Sequence, residues 1–485
     1  CGENLLDKGY FLGHMVMETV KVQLNINKET DRDSFMYKRV DISGFLISSI
    51  FRDLYFRIKN KLIETCNIKY NNRTKFIIAS SEETSIDNSS EYWDKNFNNF
   101  IGHNNDINSE LNIRETIDRL IMDEGFMYAF KNCWGLKNAP CKQGVVQDIN
   151  RISYIGFISH LRRINTPLSS SAKIRAPHSL HGSSWGIMCP SETPDGGNVG
   201  LRKNLAILSS ITFGTNSKPL ERLLFTSEVY DIKTKDVNKN IAVKIFLNEI
   251  LIGYTYKPRK LYKKLKLLKR NALINIYTSI SWYKMDKIMK IATTSGRGIR
   301  PVFVVDKKQI NILRNIDNTE YNILDKLKDK SINWEHLVGG LIHKDKSKPF
   351  SDINENYIMN KDSDGNLIEY DLLKLAQTQG IIEYIDCEES NTSLISINSD
   401  KLDSYDYNYC EISPSLILGV LGNLIPSVSM NQAPRNQFSS CHAKQALGLY
   451  ATNFRNRFDT KGQILNYPQK PLVKSKLSKY LNADN

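Results

Sequence analysis

The sequence lacks a long apolar run, a secretory leader and an initiator methionine. No stretch approaches the ~20 apolar residues that a helix needs to span a bilayer, so we expect no membrane protein. Residues 1–18 have no basic segment followed by a continuous apolar core, which excludes a signal peptide there. Because the chain starts with Cys1, a processed product or a fragment is expected.

Closely spaced cysteines are also missing. None of the eight cysteines forms a C-x-x-C pair, so the sequence predicts no zinc ribbon. Scattered cysteines in a long chain are typical of buried free thiols in a reducing compartment. His178 and His181 are three residues apart, but no further Cys or His lies nearby at ligand spacing. We therefore expect this chain to hold no metal ion.

The composition is that of an ordinary globular protein with an excess of positive charge. With 485 residues the chain is too long for one core and should form three or four domains. There are 66 Lys and Arg against 52 Asp and Glu, which gives a net charge of +14. Such an excess indicates either a polyanionic partner such as nucleic acid or a lysine-rich solvated surface, and charge alone does not separate the two.

Apolar spacing predicts two helices in the first third of the chain. In residues 41–65 a four-residue repeat marks a core-facing stripe that Phe45, Phe51 and Tyr55 would widen. The repeat consists of Ile42, Leu46, Ile50, Leu54, Ile58 and Leu62. Residues 67–110 are rich in Asn, Ser and charge and predict a loop. A second helix is predicted over 111–130.

Strand-like patterns dominate from residue 205 onward. Short strands are predicted within 206–214, 223–232, 242–248 and 250–256, with a turn at 248–249, and a buried strand over 299–306. Residues 258–270 predict a basic amphipathic helix, which could bind nucleic acid, a membrane or a partner. We favour the alternative of a solvated surface helix. Residues 381–397 predict two strands joined by an acidic turn, and 409–450 predict an apolar, turn-rich segment followed by a helix.

The most informative stretch is HLRRINTPLSSSAKIRAPHSLHGSSWGIMCPSETPDGGNVGL, residues 160–201. Basic side chains flank a Ser-rich loop, a pattern typical of a mobile element that touches phosphates; an ordinary exposed turn is the alternative. Glu192 and Asp195 are three residues apart, so they could serve as an acid–base pair or bind Mg²⁺. We favour structural hydrogen bonds from Glu192 to turn amides.

This stretch resembles the fork region of the second-largest, beta-like subunit of multisubunit DNA-directed RNA polymerases of the eukaryotic, archaeal and large-DNA-virus type. Further resemblances follow in the family's order. They are FLGHMVMETV with DRDSFMYKRVDISG, then GRGIRPVFVVD, EYIDCEE, MNQAPRNQFSSCHAKQALG and NYPQKPLV, spanning Gly9 to Lys474.

The resemblance implies an α+β multidomain fold of mixed helical and β domains of the polymerase beta-subunit type. The expected domains are the end of the protrusion (1–110), the fork (111–215), external 1 (216–300), external 2 (301–408) and an incomplete start of the hybrid-binding domain (409–485).

By the same resemblance, Arg435 contacts the triphosphate of the incoming nucleotide, because a guanidinium suits phosphate oxygens. A structural ion pair is the alternative. The residues expected near the RNA–DNA hybrid are Gln432, Asn436, Lys444 and Gln445. Those expected near DNA at the fork loop are Arg162, Arg163, Lys173 and Arg175. An organising role near the active centre is implied for Glu192 and Asp195.

The sequence departs from the family pattern at three places. The loop at 169–172 lacks the family's Gly-Arg-Asp-Gly-type core. His178 stands where Arg is common, and a neutral His donates only one hydrogen bond. Asp195 replaces the usual Glu and is one methylene shorter. These departures weaken the assignment of a fixed phosphate contact at position 178 and hint at a divergent polymerase.

The implied function is DNA-templated RNA synthesis, with this chain lining the active centre. No catalytic residue is expected here, since two Mg²⁺ ions would be held mainly by the largest subunit. Zinc is expected only in a C-terminal part of the family subunit that lies beyond residue 485. Expected partners are the largest and smaller subunits, template DNA, nascent RNA and NTPs. A non-enzymatic nucleic-acid-binding scaffold and a non-functional fragment are the alternatives.

Overall fold

The chain forms an α+β structure of several domains. The computed structural model describes residues 5–80, 120–131, 134–137, 142, 144–168, 174–227, 229–232, 238, 241–306, 309–310, 329–330, 333–340, 376, 379–469 and 471–481. Two compact units can be separated along the chain. The larger consists of Cys1–Val40, Arg151–Ile164 and Ser170–Asn485, and the smaller of Asp41–Asn150 and Asn165–Ser169.

Helices and strands alternate irregularly along the chain. The helices are α1 (Leu5–Gln23), α2 (Ser43–Ser80), α3 (Leu120–Lys131), α4 (Tyr154–Leu161), α5 (Lys218–Thr226), α6 (Pro258–Arg270), α7 (Trp334–Gly339), α8 (Cys387–Thr392) and α9 (Ala433–Gln445). The strands are β1 (Arg163–Asn165), β2 (Arg202–Asn204), β3 (Ser210–Ile211), β4 (Tyr230–Asp231), β5 (Val243–Leu247), β6 (Ile250–Thr255), β7 (Ser279–Tyr283), β8 (Ile288–Ala292), β9 (Gly298–Asp306), β10 (Gln309–Ile310), β11 (Ile382–Asp386), β12 (Ile395–Ser396) and β13 (Tyr409–Cys410).

In the smaller unit, α2 packs on α3 through the predicted stripe. Ile50 and Leu54 are buried against Ala129 and Trp134, with Leu46 partly buried beside them. The stripe is therefore confirmed, whereas the aromatic residues expected to widen it are exposed. The loop predicted from residue 67 is wrong as far as Ser80, because no Gly or Pro interrupts the helix in this stretch. Residues 81–119 lie outside the described residues.

The first sheet of the larger unit has the strand order β4-β6-β5-β8-β7. The β5–β8 pair is parallel and the other pairs are antiparallel. The predicted turn between β5 and β6 is confirmed, with positive φ at Asn248 and Glu249. The segment from residue 223 to 226 was predicted as a strand and is wrong: it ends helix α5, whose Leu220, Leu223 and Leu224 are buried on one face.

The second sheet is built around β9, the strand predicted to be buried. Antiparallel β3, β10, β11 and β13 all pair with β9, and β12 runs parallel to β13. The acidic turn predicted after β11 is wrong, since it is the short helix α8. The Asp386 carboxylate caps α8 by accepting from the backbone N–H of Glu389 at 2.9 Å.

Helix α6 carries its predicted apolar face, but the expectation that its lysines are solvated is wrong for two of them. Leu261, Leu265 and Leu268 are buried in the core against the first sheet. Lys266 and Lys269, however, are only 3% and 1% exposed. A charged side chain is buried only when partners compensate its charge. The sequence did not reveal the partners of these two lysines, because they lie far from α6 along the chain.

Those partners are carboxylates of β11 and α8. Lys266 Nζ lies 2.7 Å from Glu383 Oε1 and 2.6 Å from Glu389 Oε1. Lys269 Nζ lies 3.0 Å from Glu389 Oε2, and Arg270 Nε lies 2.8 Å from Glu383 Oε2. Three cations and two carboxylates thus form one buried ion network, which joins α6 to the second sheet.

The pKa values of this ion network follow from its charge balance. Burial alone would raise the pKa of Glu383, but Lys266, Arg270 and Lys269 outweigh it and hold that pKa well below its usual range. Burial would likewise lower the pKa of Lys266, but the two carboxylates raise it well above its usual range. Glu383 and Lys266 therefore both stay charged across the physiological pH range.

Candidate functional site

The first turn of α9 presents Arg435 to solvent. The helix begins at Ala433 with Pro434 in its first turn, and that turn contains no acidic residue. The Arg435 guanidinium lies over the Phe438 ring, 5.7 Å from its centroid. Among the residues that the structure describes, no carboxylate pairs with it. A helix N-terminus and an exposed guanidinium both favour an anion, so the geometry disfavours the alternative of a structural ion pair.

The other α9 residues predicted near the hybrid differ in exposure. Gln432, at the N-cap, and Gln445, in the last turn, are exposed. Asn436 is buried, and its Nδ2 donates to the Val428 carbonyl at 2.9 Å. Its amide nitrogen therefore fastens the loop that leads into α9, and the predicted position of Asn436 near the hybrid stays a prediction.

Glu192 is buried between α4 and α9. Its side chain accepts a hydrogen bond from Ser159 Oγ, and its Oε1 lies 3.3 Å from Lys444 Nζ. Lys444 is further fixed because its carbonyl accepts from Ser153 Oγ at 2.9 Å. Structural hydrogen bonding was predicted for Glu192, but its side chain meets Ser159 and Lys444 instead of turn amides.

Glu192 and Asp195 do not form a joint carboxylate site. Glu192 is 1% exposed and engaged by a cation, whereas Asp195 is exposed and makes no side-chain cap bond. An acid–base pair or a Mg²⁺ site needs both carboxylates to face one space. In addition, no three His, Cys, Asp or Glu side chains converge anywhere in the described part of the chain. This donor set does not fit a divalent cation.

The two arginines of the LRR motif have different roles. Arg162 points inward, and its Nη2 donates to the carbonyls of Ala206, Ile207 and Ser209 at 2.7, 3.2 and 3.0 Å. These carbonyls occupy Nη2 of Arg162, and its position near DNA stays a prediction. Arg163, the next residue, is partly exposed on β1.

The fork loop itself falls largely outside the described residues. Residues 169–173, including Lys173, are among those not described, so its predicted DNA contact stays a prediction. Arg175 is exposed at the start of a short 3-10 helix. Its guanidinium remains accessible to a phosphate.

His178 and His181 bind protein groups at separate places. His178 Nδ1 donates to the Val199 carbonyl at 2.7 Å. His181 Nδ1 accepts from the backbone N–H of Ser183, so its Nε2–H donates to Asp31 at 2.6 Å. The Nδ1 of His178 is therefore occupied by the Val199 carbonyl.

Sequence reasoning missed Arg202 on β2. It is exposed, and its charge acts on both His160 and Arg163. The signal available in the sequence was the basic Arg202-Lys203 pair that follows the SETPDGG motif. Its place beside Arg163 follows from the fold, because β2 pairs with β1, which carries Arg163.

Family models match the chain in four consecutive segments. They are described as RNA polymerase Rpb2 domain 3 at residues 147–211, domain 4 at 245–306, domain 5 at 374–414 and domain 6 at 421–485. Four domains of one subunit thus occur here in their numbered order.

Curated relatives extend the similarity to nearly the whole chain. DNA-directed RNA polymerase II subunit RPB2 of Encephalitozoon cuniculi is 33% identical over 98% of this chain and 36% of the relative. DNA-directed RNA polymerase II subunit 2 of Arabidopsis thaliana is 30% identical over 98% of this chain and 35% of the relative. The chain belongs to the family of second-largest RNA polymerase subunits. Subunit Rpo2 of Sulfolobus acidocaldarius is 27% identical over 98% of this chain, and the chain spans about one third of the length of these relatives.

Two of the charged contacts join different domains of this polymerase family. The Glu192–Lys444 pair links domain 3 to domain 6. The buried ion network links α6 of domain 4 to Glu383 and Glu389 of domain 5. Domain junctions in this chain are therefore held by charge as well as by apolar packing.

Proposed function

We propose that this chain works as part of the second-largest subunit of a DNA-directed RNA polymerase. The observation that carries the proposal is the match to domains 3 to 6 in order, with relatives similar over 98% of the chain. The reaction is nucleotidyl transfer, in which a 3′-hydroxyl attacks the α-phosphate of an NTP and pyrophosphate leaves. The chain acts within a complex that also contains a largest subunit, smaller subunits, template DNA and RNA.

In this proposal the residues of α9 bind and orient the substrate. Arg435 contacts the triphosphate of the incoming NTP, which its exposure and the absence of a described ion pair support. Gln432, Lys444 and Gln445 face the RNA–DNA hybrid. Mg²⁺, when bound, would neutralise charge on the phosphate oxygens. Among the described residues no carboxylates converge to hold it, and in this proposal the largest subunit does.

The setting of the proposed enzyme is inside the cell: the nucleus for a eukaryotic owner, or the cytoplasm or virion for a viral one. The relatives from Encephalitozoon cuniculi and Arabidopsis thaliana are named as subunits of RNA polymerase II. In the described part of the chain, no helix is both long and apolar enough to cross a membrane.

Purification of the native complex tests the proposal. A tag on the endogenous chain should retrieve a largest polymerase subunit in equal amount, identified by mass spectrometry under mild salt. Retrieval of the chain without any polymerase subunit would contradict the proposal and favour the scaffold alternative.

Neutralising the fork loop should change pausing more than affinity. In a reconstituted polymerase, Lys173→Gln with Arg175→Gln removes two charges from the proposed bubble edge, and about one or two phosphate contacts are lost. We expect pause lifetimes to change severalfold and DNA affinity to fall only slightly. The matched control is Lys263→Gln with Arg259→Gln on the exposed side of α6. Unchanged pausing and unchanged salt dependence would show that the loop is an ordinary turn.

A further inference from the structure

Helix α6 has one face that the core and the buried ion network leave exposed. Its sequence, PRKLYKKLKLLKR, contains no acidic residue. Its leucines pack on the first sheet, and Lys266, Lys269 and Arg270 meet the carboxylates of the buried ion network. Because an α-helix turns once in 3.6 residues, the remaining cations fall on one arc, which we call the basic face of α6. It consists of Arg259, Lys260 and Lys263, all exposed, and the half-buried Lys264.

The charges of the basic face are not arranged to stabilise the helix itself. Arg259 and Lys260 lie in the first turn, where the helix dipole disfavours cations. Arg259 and Lys263 lie one turn apart, and like charges at this spacing repel each other. Among the residues that the structure describes, no carboxylate forms an ion pair with Arg259, Lys263 or Lys264. The arrangement therefore favours an anionic partner.

An exposed apolar patch borders the start of α6. Tyr256 lies two residues before Pro258, and its ring meets that of Tyr230 edge-on, with the ring centroids 5.7 Å apart. These two tyrosines are 45% and 44% exposed. Tyr256 Oη also accepts from the backbone N–H of Asn238 at 2.7 Å, which fastens the turn that ends at Ile241, an isoleucine 65% exposed. Positive charge and exposed apolar surface are therefore neighbours at this end of the helix.

This combination selects the chemistry of the partner. A membrane is disfavoured, because the apolar side of α6 is buried in the core and is not available to lipid. Nucleic-acid recognition favours arginine, whereas three of the four cations are lysines, and an isoleucine offers no flat surface on which a base could stack. Acidic side chains with apolar residues between them match both the cations and the exposed tyrosines.

We propose that the basic face of α6, together with Tyr230 and Tyr256, is a docking surface for a segment of a partner protein in which acidic residues alternate with apolar ones. The buried ion network holds α6 on the second sheet, so the cations are already in place before the partner arrives. The inference goes beyond the proposed function and does not depend on it, since docking uses no residue of α9 or of the fork loop.

Peptide binding to the complete native complex tests the surface. The probe is a fluorescein-labelled synthetic peptide in which Glu alternates with Leu, and its binding is measured by fluorescence anisotropy over a range of KCl concentrations. Arg259→Gln with Lys263→Gln should weaken binding about threefold to tenfold at low salt, the effect of losing two exposed ion pairs, and should reduce its salt dependence. A second probe, in which Glu alternates with Ser, should bind the wild type about tenfold more weakly, because it leaves the tyrosines uncovered.

Helix α5 supplies a matched control. Lys218 and Arg222 are exposed and are also four residues apart, so Lys218→Gln with Arg222→Gln removes the same charge and should leave peptide binding unchanged. Equal binding of the Glu–Leu peptide by the wild type and the α6 double variant would overturn the inference, as would equal binding of the two peptides by the wild type. If the α6 double variant lost binding of a single-stranded DNA oligonucleotide and kept that of the peptide, the occupant would be a nucleic acid and the inference would be wrong. Template-dependent synthesis is measured without peptide, and its absence would contradict the proposed function alone.

Discussion

Replacing Arg435 by Ala is expected to raise the apparent KM for NTPs about 10- to 100-fold in a reconstituted polymerase, the effect of losing a charged hydrogen bond or two. The guanidinium is exposed in the first turn of α9 and rests on Phe438, so its removal leaves no buried group unpaired. Binding of the DNA scaffold should therefore be unchanged. The measurement is the elongation rate as a function of NTP concentration.

Arg455 offers a closely matched control for this substitution. It is also exposed, and its guanidinium lies 5.8 Å from the centroid of the adjacent Phe454 ring. Arg455→Ala should leave the NTP dependence unchanged, while Arg435→Lys should recover part of it because a lysine keeps the charge but loses the planar fork. Normal elongation by Arg435→Ala at limiting NTP would refute the triphosphate contact.

Replacing Glu383 by Gln is expected to cost about 3 to 5 kcal/mol of local stability, the usual result of breaking a buried ion pair from one side. Lys266 and Lys269 would then keep Glu389 as their remaining carboxylate, and Arg270 would lose its ion pair with Glu383. Hydrogen–deuterium exchange of the peptides from α6 and β11 in the intact chain measures this loss, because it reports the opening of this region alone.

The pH dependence of that loss follows from the two pKa shifts. The pKa of Glu383 is depressed, so its contribution is present above the unfolded value of about 4.3 and is lost as pH falls through the lower folded value. The pKa of Lys266 is raised, so its contribution is lost only above about pH 10. The difference between wild type and Glu383→Gln should thus be constant between about pH 5 and 9.

The neighbouring Glu388 supplies the control for the buried network. It pairs with Lys290 at 2.8 Å, but the lysine is 40% exposed. Glu388→Gln should cost about 1 kcal/mol or less, as half-exposed ion pairs usually do. Equal protection loss in Glu388→Gln and Glu383→Gln would contradict the view that burial makes this network strong.

Local periodicity predicted the elements whose own side chains define a face. The stripe of α2 and the leucines of α6 were visible because helical spacing places them together. The turn at Asn248–Glu249 was visible between two strand patterns. Two elements were not predicted. The end of α2 continues as a helix because no Gly or Pro breaks it, although its composition is typical of a loop. Helix α8 depends on the cap formed by Asp386.

Single candidate residues were visible in the sequence, whereas contacts between distant elements were not. The resemblance singled out Arg435, which the structure places exposed in the first turn of α9, and its contact with the triphosphate stays a prediction. In contrast, Arg162 and Arg163 look alike in sequence, and only the fold shows that one of them binds carbonyls. The pairing of Glu192 with Lys444 joins residues 252 positions apart, which no spacing in the chain reveals.

Template-dependent RNA synthesis by the native complex tests the central claim most directly. The complex retrieved through a tag on this chain is supplied with Mg²⁺, four NTPs and a DNA template of defined sequence, and the RNA product is sequenced. The account predicts RNA complementary to the template, with synthesis abolished when the template is omitted. A complex that binds the DNA but makes no templated RNA would contradict it and identify the chain as part of a nucleic-acid-binding scaffold.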